Sequence, residues 1–321
     1  MSNTDVLGVD ISKATFDVAL LANDKVKTKK FNNKNKGFLE LIEWLKNKNI
    51  TTLHVCMEAT GNYGDALATY LFELGYTVSV VNPAQIKGFG KSELSRNKTD
   101  RADAQLIARF CRAMAPVSWT PKPQHIRELQ AWVRRLEALQ NMYYQENNRF
   151  GVVDVIVKAS IKKIMGQLEK EIADIKKTIR EHIGAHPDLQ AKSALLATIP
   201  GVGEATISQI LAFVGNVEAF KNAKQLAAFV GLNPTQRQSG TSVRGRTHLS
   251  KMGDSNLRKA LYLPAMTAKK YNPIIKKFCD NLANGGKPKM LIIGAAMRKL
   301  IHIIYGVLKS QKPFDANIAM V

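Results

Sequence analysis

At 321 residues the chain is long enough for two or three domains, each burying its own core, and its 45% hydrophobic and 23% charged content is ordinary for a soluble globular protein. Three scattered cysteines suit a reducing cytosol better than a disulfide framework, and with no basic start followed by an apolar core and no apolar run approaching the ~20 residues of a membrane helix, neither a secretory signal nor a membrane span is expected. A soluble cytoplasmic protein is expected, and its net charge of +21, of which +14 falls in residues 191–321, calls for a polyanionic partner lying against the C-terminal part.

The chain opens with strand signals. Val6–Ile11 is a short β-rich run, Thr15–Leu21 follows a turn at Ser12-Lys13 as the second arm of a hairpin, and Lys25–Phe31 makes a third strand. Residues 37–45 have helical apolar spacing, 52–57 read as a buried strand, Tyr63–Leu74 as a helix closed by Gly75, and 77–81 as a further strand. This order predicts a mixed sheet flanked by helices, over about residues 1–118. Pro116, Pro121 and Pro123 mark its end.

From Gln124 to about Ile183 the chain is helical and nearly free of breakers. Ile161, Ile164, Leu168, Ile172, Ile175, Ile179 and Ile183 form one apolar seam; Ile126, Leu129, Val133 and Leu136 form an earlier one. Such seams suit a coiled coil or a helical hairpin, giving an arm over residues 119–188. The third domain, 189–321, is expected to be mostly helical. It opens on two helical stretches joined by Pro200-Gly201-Val202-Gly203, the form of a helix-hairpin-helix, in which glycines let a phosphate approach the backbone. The segment 235–248 combines hydroxyls, glycines and arginines with almost no apolar residue, so it reads as a basic loop.

Four acids stand apart. Asp10 ends an apolar strand, where an unpaired carboxylate is costly, and Glu58 ends another. Asp100 and Asp103 open a helix, and their i, i+3 spacing places both on one face. Taken singly, each has a bland explanation: a turn former, a dipole-favoured acid, a partner for Arg101 or Lys98. Taken together they suit hard divalent ions such as Mg²⁺, which prefer carboxylate oxygens and can clamp the attacking and leaving oxygens of a phosphodiester.

The runs Gly8-Val9-Asp10-Ile11-Ser12-Lys13, Glu58-Ala59-Thr60-Gly61 and Asn97-Lys98-Thr99-Asp100-Arg101-Ala102-Asp103-Ala104 resemble the DEDD transposases of bacterial insertion sequences, a family that includes pilin-gene invertases. Ile199–Gly203, Phe229–Pro234 and Ser239–Gly245 resemble the family's C-terminal transposase domain, so the likeness covers most of the chain. It implies an α/β RuvC-like (RNase H-type) N-terminal domain whose Asp10, Glu58, Asp100 and Asp103 bind Mg²⁺. It also implies a C-terminal serine, Ser239, that attacks DNA and becomes covalently linked to it. Many relatives have a second Ser after the Ser-Gly step; here Thr241 is followed by Ser242, which leaves Ser242 as an alternative nucleophile. The family further implies donor and target DNA, a guide (bridge) non-coding RNA that pairs with both, and a dimer of dimers. Two rivals are a hydrolytic nuclease or Holliday-junction resolvase that uses the acids alone, and a non-catalytic nucleic-acid-binding protein.

Overall fold

The computed structural model describes residues 5–59, 61, 63–93, 99–235, 238–239, 243–244 and 248–317, and for 238–239 and 243–244 it describes the backbone. The chain forms two compact units, Met1–Lys122 and Pro123–Val321.

In the first unit, β1 (Val6–Ile11), β2 (Thr15–Ala22) and β3 (Lys25–Asn32) form an antiparallel meander. Asn23 and Asp24 both take positive φ (46° and 57°) between β2 and β3, the conformation that a two-residue hairpin turn demands and that Asn and Asp tolerate. After α1 (Asn35–Lys46), β4 (His54–Glu58) returns parallel to β1. After α2 (Asp65–Glu73), β5 (Thr77–Val81) lies parallel to β4, giving the order β3-β2-β1-β4-β5. Two helices, α3 (Pro83–Ser92) and α4 (Asp100–Met114), complete the unit.

Strand alternation sorts the sheet into two cores. On one face Leu7, Val9, Phe16, Val18, Leu20, Val55 and Met57 pack against Phe38, Leu41 and Leu45 of α1 and Leu67 and Leu71 of α2. On the other, Val6, Ala19, Leu21, Cys56 and Val81 meet Ala104, Ile107, Ala108 and Cys111 of α4. The expected mixed sheet with flanking helices is what the chain builds.

The second unit is mostly helical. The breaker-poor stretch is two helices, α5 (Gln124–Phe150) and α6 (Val155–Ala185), joined at residues 151–154, where the Asp154 carboxylate caps α6 by accepting from the Ile156 N–H. There follow α7 (Pro187–Ala197), α8 (Glu204–Phe213), a 3₁₀ turn at Val217–Ala219 and α9 (Ala223–Phe229). Short strands β6 (Pro234–Thr235), β7 (Gln238–Ser239), β8 (Val243–Arg244) and β9 (His248–Leu249) precede α10 (Ser255–Ala260), α11 (Tyr262–Tyr271), α12 (Pro273–Asn284) and α13 (Lys289–Ser310).

One core runs through the unit: Leu129, Val133 and Leu136 of α5 and Ile175 and Ile179 of α6 join Ile210, Leu257, Ile275, Leu300 and Ile304. The arm's apolar seams are therefore buried largely within the same unit as the C-terminal helices. The expectation that no segment is long and apolar enough to span a membrane needs correction: α13 is, by length and composition. Ten of its 22 residues are buried, because it is the central core helix against which α9, α11 and α12 pack, and such a helix is apolar on most sides.

Candidate active site

The face of the sheet covered by α4 carries the acids. Even-numbered residues of β1 point to it, so Asp10 follows Val6 and Gly8; on β4 the same alternation brings Glu58 after Cys56. Gly8 sets the distance to the helix. A Cβ there would lie 2.2 Å from the Ala104 carbonyl oxygen and 2.3 Å from the Ala108 nitrogen, so only glycine lets α4 sit directly on β1. The first turn of α4 is thereby brought over the C-terminal end of β1. Thr99 caps it, its Oγ1 accepting from the Ala102 N–H at 3.2 Å, and Asp100 and Asp103 occupy that turn, where the helix dipole favours negative charge.

Three of the predicted acids, Asp103, Asp100 and Glu58, act electrostatically on the fourth, Asp10. The Asp10 carboxyl is pushed up from its ordinary 3.8 to about 6, first by burial and then by the negative charges of Asp103, Asp100, Glu58 and Asp17. A half-buried acid surrounded by four others lacks positive charge. Lys30 supplies some at the rim, its Nζ lying 3.1 Å from Asp17 and 3.5 Å from Asp100. Among the described residues no three His, Cys, Asp or Glu side chains are gathered tightly enough to hold an ion. The acids share a field without sharing a coordination point. Their chemistry, four carboxylates whose mutual repulsion a cation would relieve, fits a hard divalent ion.

Asp17 and Lys30 were not singled out from sequence. In the hairpin register Asp10 faces Asp17 and Asp17 faces Lys30, a row across three strands. The available signal was an acid inside the apolar run Thr15–Ala22, but its neighbours follow only from the tight turn in which Ser12 N–H and Oγ both donate to the Thr15 carbonyl.

Ser239 belongs to the second unit. The segment expected as a loop contains nested antiparallel pairs: Pro234 and Thr235 with Leu249 and His248, then Gln238 and Ser239 with Arg244 and Val243. Ser239 thus stands on the inner strand pair of a β-excursion. Arg237, Thr241, Ser242 and Arg246 lie outside the described residues.

The Pro-Gly-Val-Gly connection between α7 and α8 uses its glycines differently from the expectation. Gly201 has φ +99°, and a Cβ there would come within 2.8 Å of the Ala268 backbone, so its bareness admits α11 rather than a phosphate. Gly203, at the start of α8, is open, but Glu204 follows it and pairs with Arg180 at 3.4 Å. A carboxylate there opposes anion binding, although Lys251, Arg258 and Lys259 line a groove of about 1290 Å³ beside the hairpin.

An acid cluster on a mixed β-sheet, joined to a basic helical unit, is the build of a nucleic-acid-processing enzyme. Residues 7–153 match the DEDD transposase family of IS110-type elements, and residues 193–280 match the family described as Transposase IS116/IS110/IS902. The pilin gene-inverting protein of Moraxella bovis is 35% identical, the match covering 99% of both chains. The transposase of insertion sequence element IS1328 from Yersinia enterocolitica is 24% identical over 81% of this chain and 83% of its own. The transposase of IS1111A from Coxiella burnetii is 25% identical over 81% and 77%. The chain belongs to the IS110 family of transposases, enzymes of DNA recombination.

Proposed function

We propose that this transposase cuts and rejoins donor and target DNA with Mg²⁺ held by Asp10, Glu58, Asp100 and Asp103 of an RNase H-like, RuvC-type unit, and with Ser239 as nucleophile. The observation that carries the metal assignment is the placement of Asp10 and Glu58 on the sheet face covered by α4, whose first turn bears Asp100 and Asp103; the raised Asp10 carboxyl agrees with it. When bound, the cation offsets charge on the phosphodiester and on the attacking and leaving oxygens. The chain's own groups do the rest. Lys30 neutralises Asp17 and Asp100, while Thr99 and Gly8 hold the first turn of α4 over β1.

The Ser239 hydroxyl attacks phosphorus and gives up its proton. The phosphorus–oxygen bond to one deoxyribose breaks, and that oxygen leaves as a hydroxyl after taking a proton. A DNA hydroxyl then attacks the phosphoserine, reversing the step and freeing the serine, so no hydrolysis and no external energy are needed. Stabilisation of phosphate charge is assigned to the arginines of the same segment, Arg237, Arg244 and Arg246. Site choice is assigned to a guide RNA paired with both DNAs, because backbone contacts do not provide the several kcal/mol of discrimination a genome requires. A dimer of dimers is the assembly that brings two such DNAs together.

The test is a suicide substrate followed by denaturing electrophoresis. A protein–DNA adduct that persists in Ser242→Ala and vanishes in Ser239→Ala and Asp10→Asn is expected. Cleavage without any adduct in the wild type favours the hydrolytic alternative, and an adduct lost only in Ser242→Ala moves the nucleophile three residues along.

A further inference from the structure

We propose that the β3 edge of the N-terminal unit is a DNA-backbone rail that leads the substrate to the carboxylate end of the sheet. Lys25, Lys27, Lys29, Lys30, Lys34 and Lys36 fall within twelve residues, and no Asp or Glu occurs from 25 to 39. These are six of the 16 basic residues in the first 115, so the N-terminal unit, nearly balanced in charge overall, is strongly polarised here.

β3 is the edge strand of the sheet, and all six lysines are exposed. Lys25, Lys27 and Lys29 share the face opposite the acids, since they stand across from Ala22, Leu20 and Val18. Successive members are ~6.7 Å apart along the strand, inside the ~8 Å screening length of physiological salt, so their potentials add. Of the six, only Lys30 is in an ion pair among the described residues. Direction follows from register. Lys30 faces Asp17, which faces Asp10, so the C-terminal end of the rail is the acid end.

A bland alternative is that lysines guard a sheet edge against strand addition. That role explains charge on β3 but not Lys34 and Lys36, which lie beyond the strand at the start of α1, where the helix dipole disfavours cations. A continuous positive track past the end of the strand suits a polyanion, and the polyanion this family acts on is DNA. The rail stands whichever groups perform the chemistry.

The experiment measures binding of a labelled DNA duplex to the full chain in EDTA across a salt series, so it is unaffected by failure of the metal or serine assignments. Lys25→Gln/Lys27→Gln/Lys29→Gln should flatten the slope of log affinity against log salt by about 2–3, near 0.9 for each phosphate left without its lysine, and the triple Arg variant should restore it. Should the Gln triple aggregate, Lys34→Gln/Lys36→Gln, off the edge, is measured instead and should flatten the slope by about 2. An unchanged slope in these variants overturns the rail. A slope that flattens only for an RNA duplex overturns its assignment to DNA.

Discussion

Replacing Asp10 by Asn should stabilise the protein while abolishing its chemistry. The carboxyl titrates at about 6 in the folded chain against an ordinary 3.8, so the native state binds its proton more tightly than the unfolded chain does. Stability therefore falls as pH rises from about 4 to about 6, and the loss stands in full at pH 7. A shift of this size corresponds to about 3 kcal/mol at ~1.4 kcal/mol per unit; solvent screening of a half-buried group reduces it to about 1–2 kcal/mol. Asn keeps the shape and removes the charge. Thermal or urea unfolding in EDTA should show Asp10→Asn more stable than wild type by that amount at pH 7.5, and the difference should vanish near pH 4. Adding Mg²⁺ at pH 7.5 should stabilise the wild type and leave Asp10→Asn nearly unmoved, because the ion relieves a repulsion that Asn has already relieved. A variant that is less stable than wild type at pH 7.5 without metal would falsify the claim that the acids converge on this carboxyl.

Gly8→Ala should destabilise the N-terminal unit by about 1–3 kcal/mol, because its Cβ would run into the α4 backbone, and it should slow cleavage by lifting Asp100 and Asp103 from Asp10; unfolding midpoints and a plasmid recombination assay check both. Lys30→Met removes the cation that competes for Asp17 and Asp100, so Mn²⁺ titration should show tighter binding by a few-fold, whereas weaker binding would make Lys30 a support of the ion site rather than a rival to it. Purified protein stripped of RNA should fail to recombine matched DNAs, regain activity when its guide is added, and follow a changed guide segment to a new site; efficient site-specific recombination without RNA refutes the guide.

Much of this protein was determined by local sequence. The three opening strands, the helix over 35–46 and the strands at 54–58 and 77–81 were legible because burial on alternating or 3.6-residue periods leaves its mark within a few residues. The four acids stood out only as a set, in the order strand Asp, strand Glu, helix Asp-x-x-Asp, since each taken singly has a local explanation. Tertiary structure alone decided the rest. Asp10 meets Asp17, and Asp17 meets Lys30, only through strand pairing, in which residues seven and thirteen positions apart become neighbours. Gly8 reads as a weak strand residue until α4 lies against it, and Gly201 reads as a phosphate cradle until α11 takes the space. The arm was legible as helix but not as part of the C-terminal core, because an apolar seam states that something covers it and not what. In each case the deciding contact joins segments distant in the chain, and a side chain's chemistry depends on the charges and atoms that such contacts bring beside it.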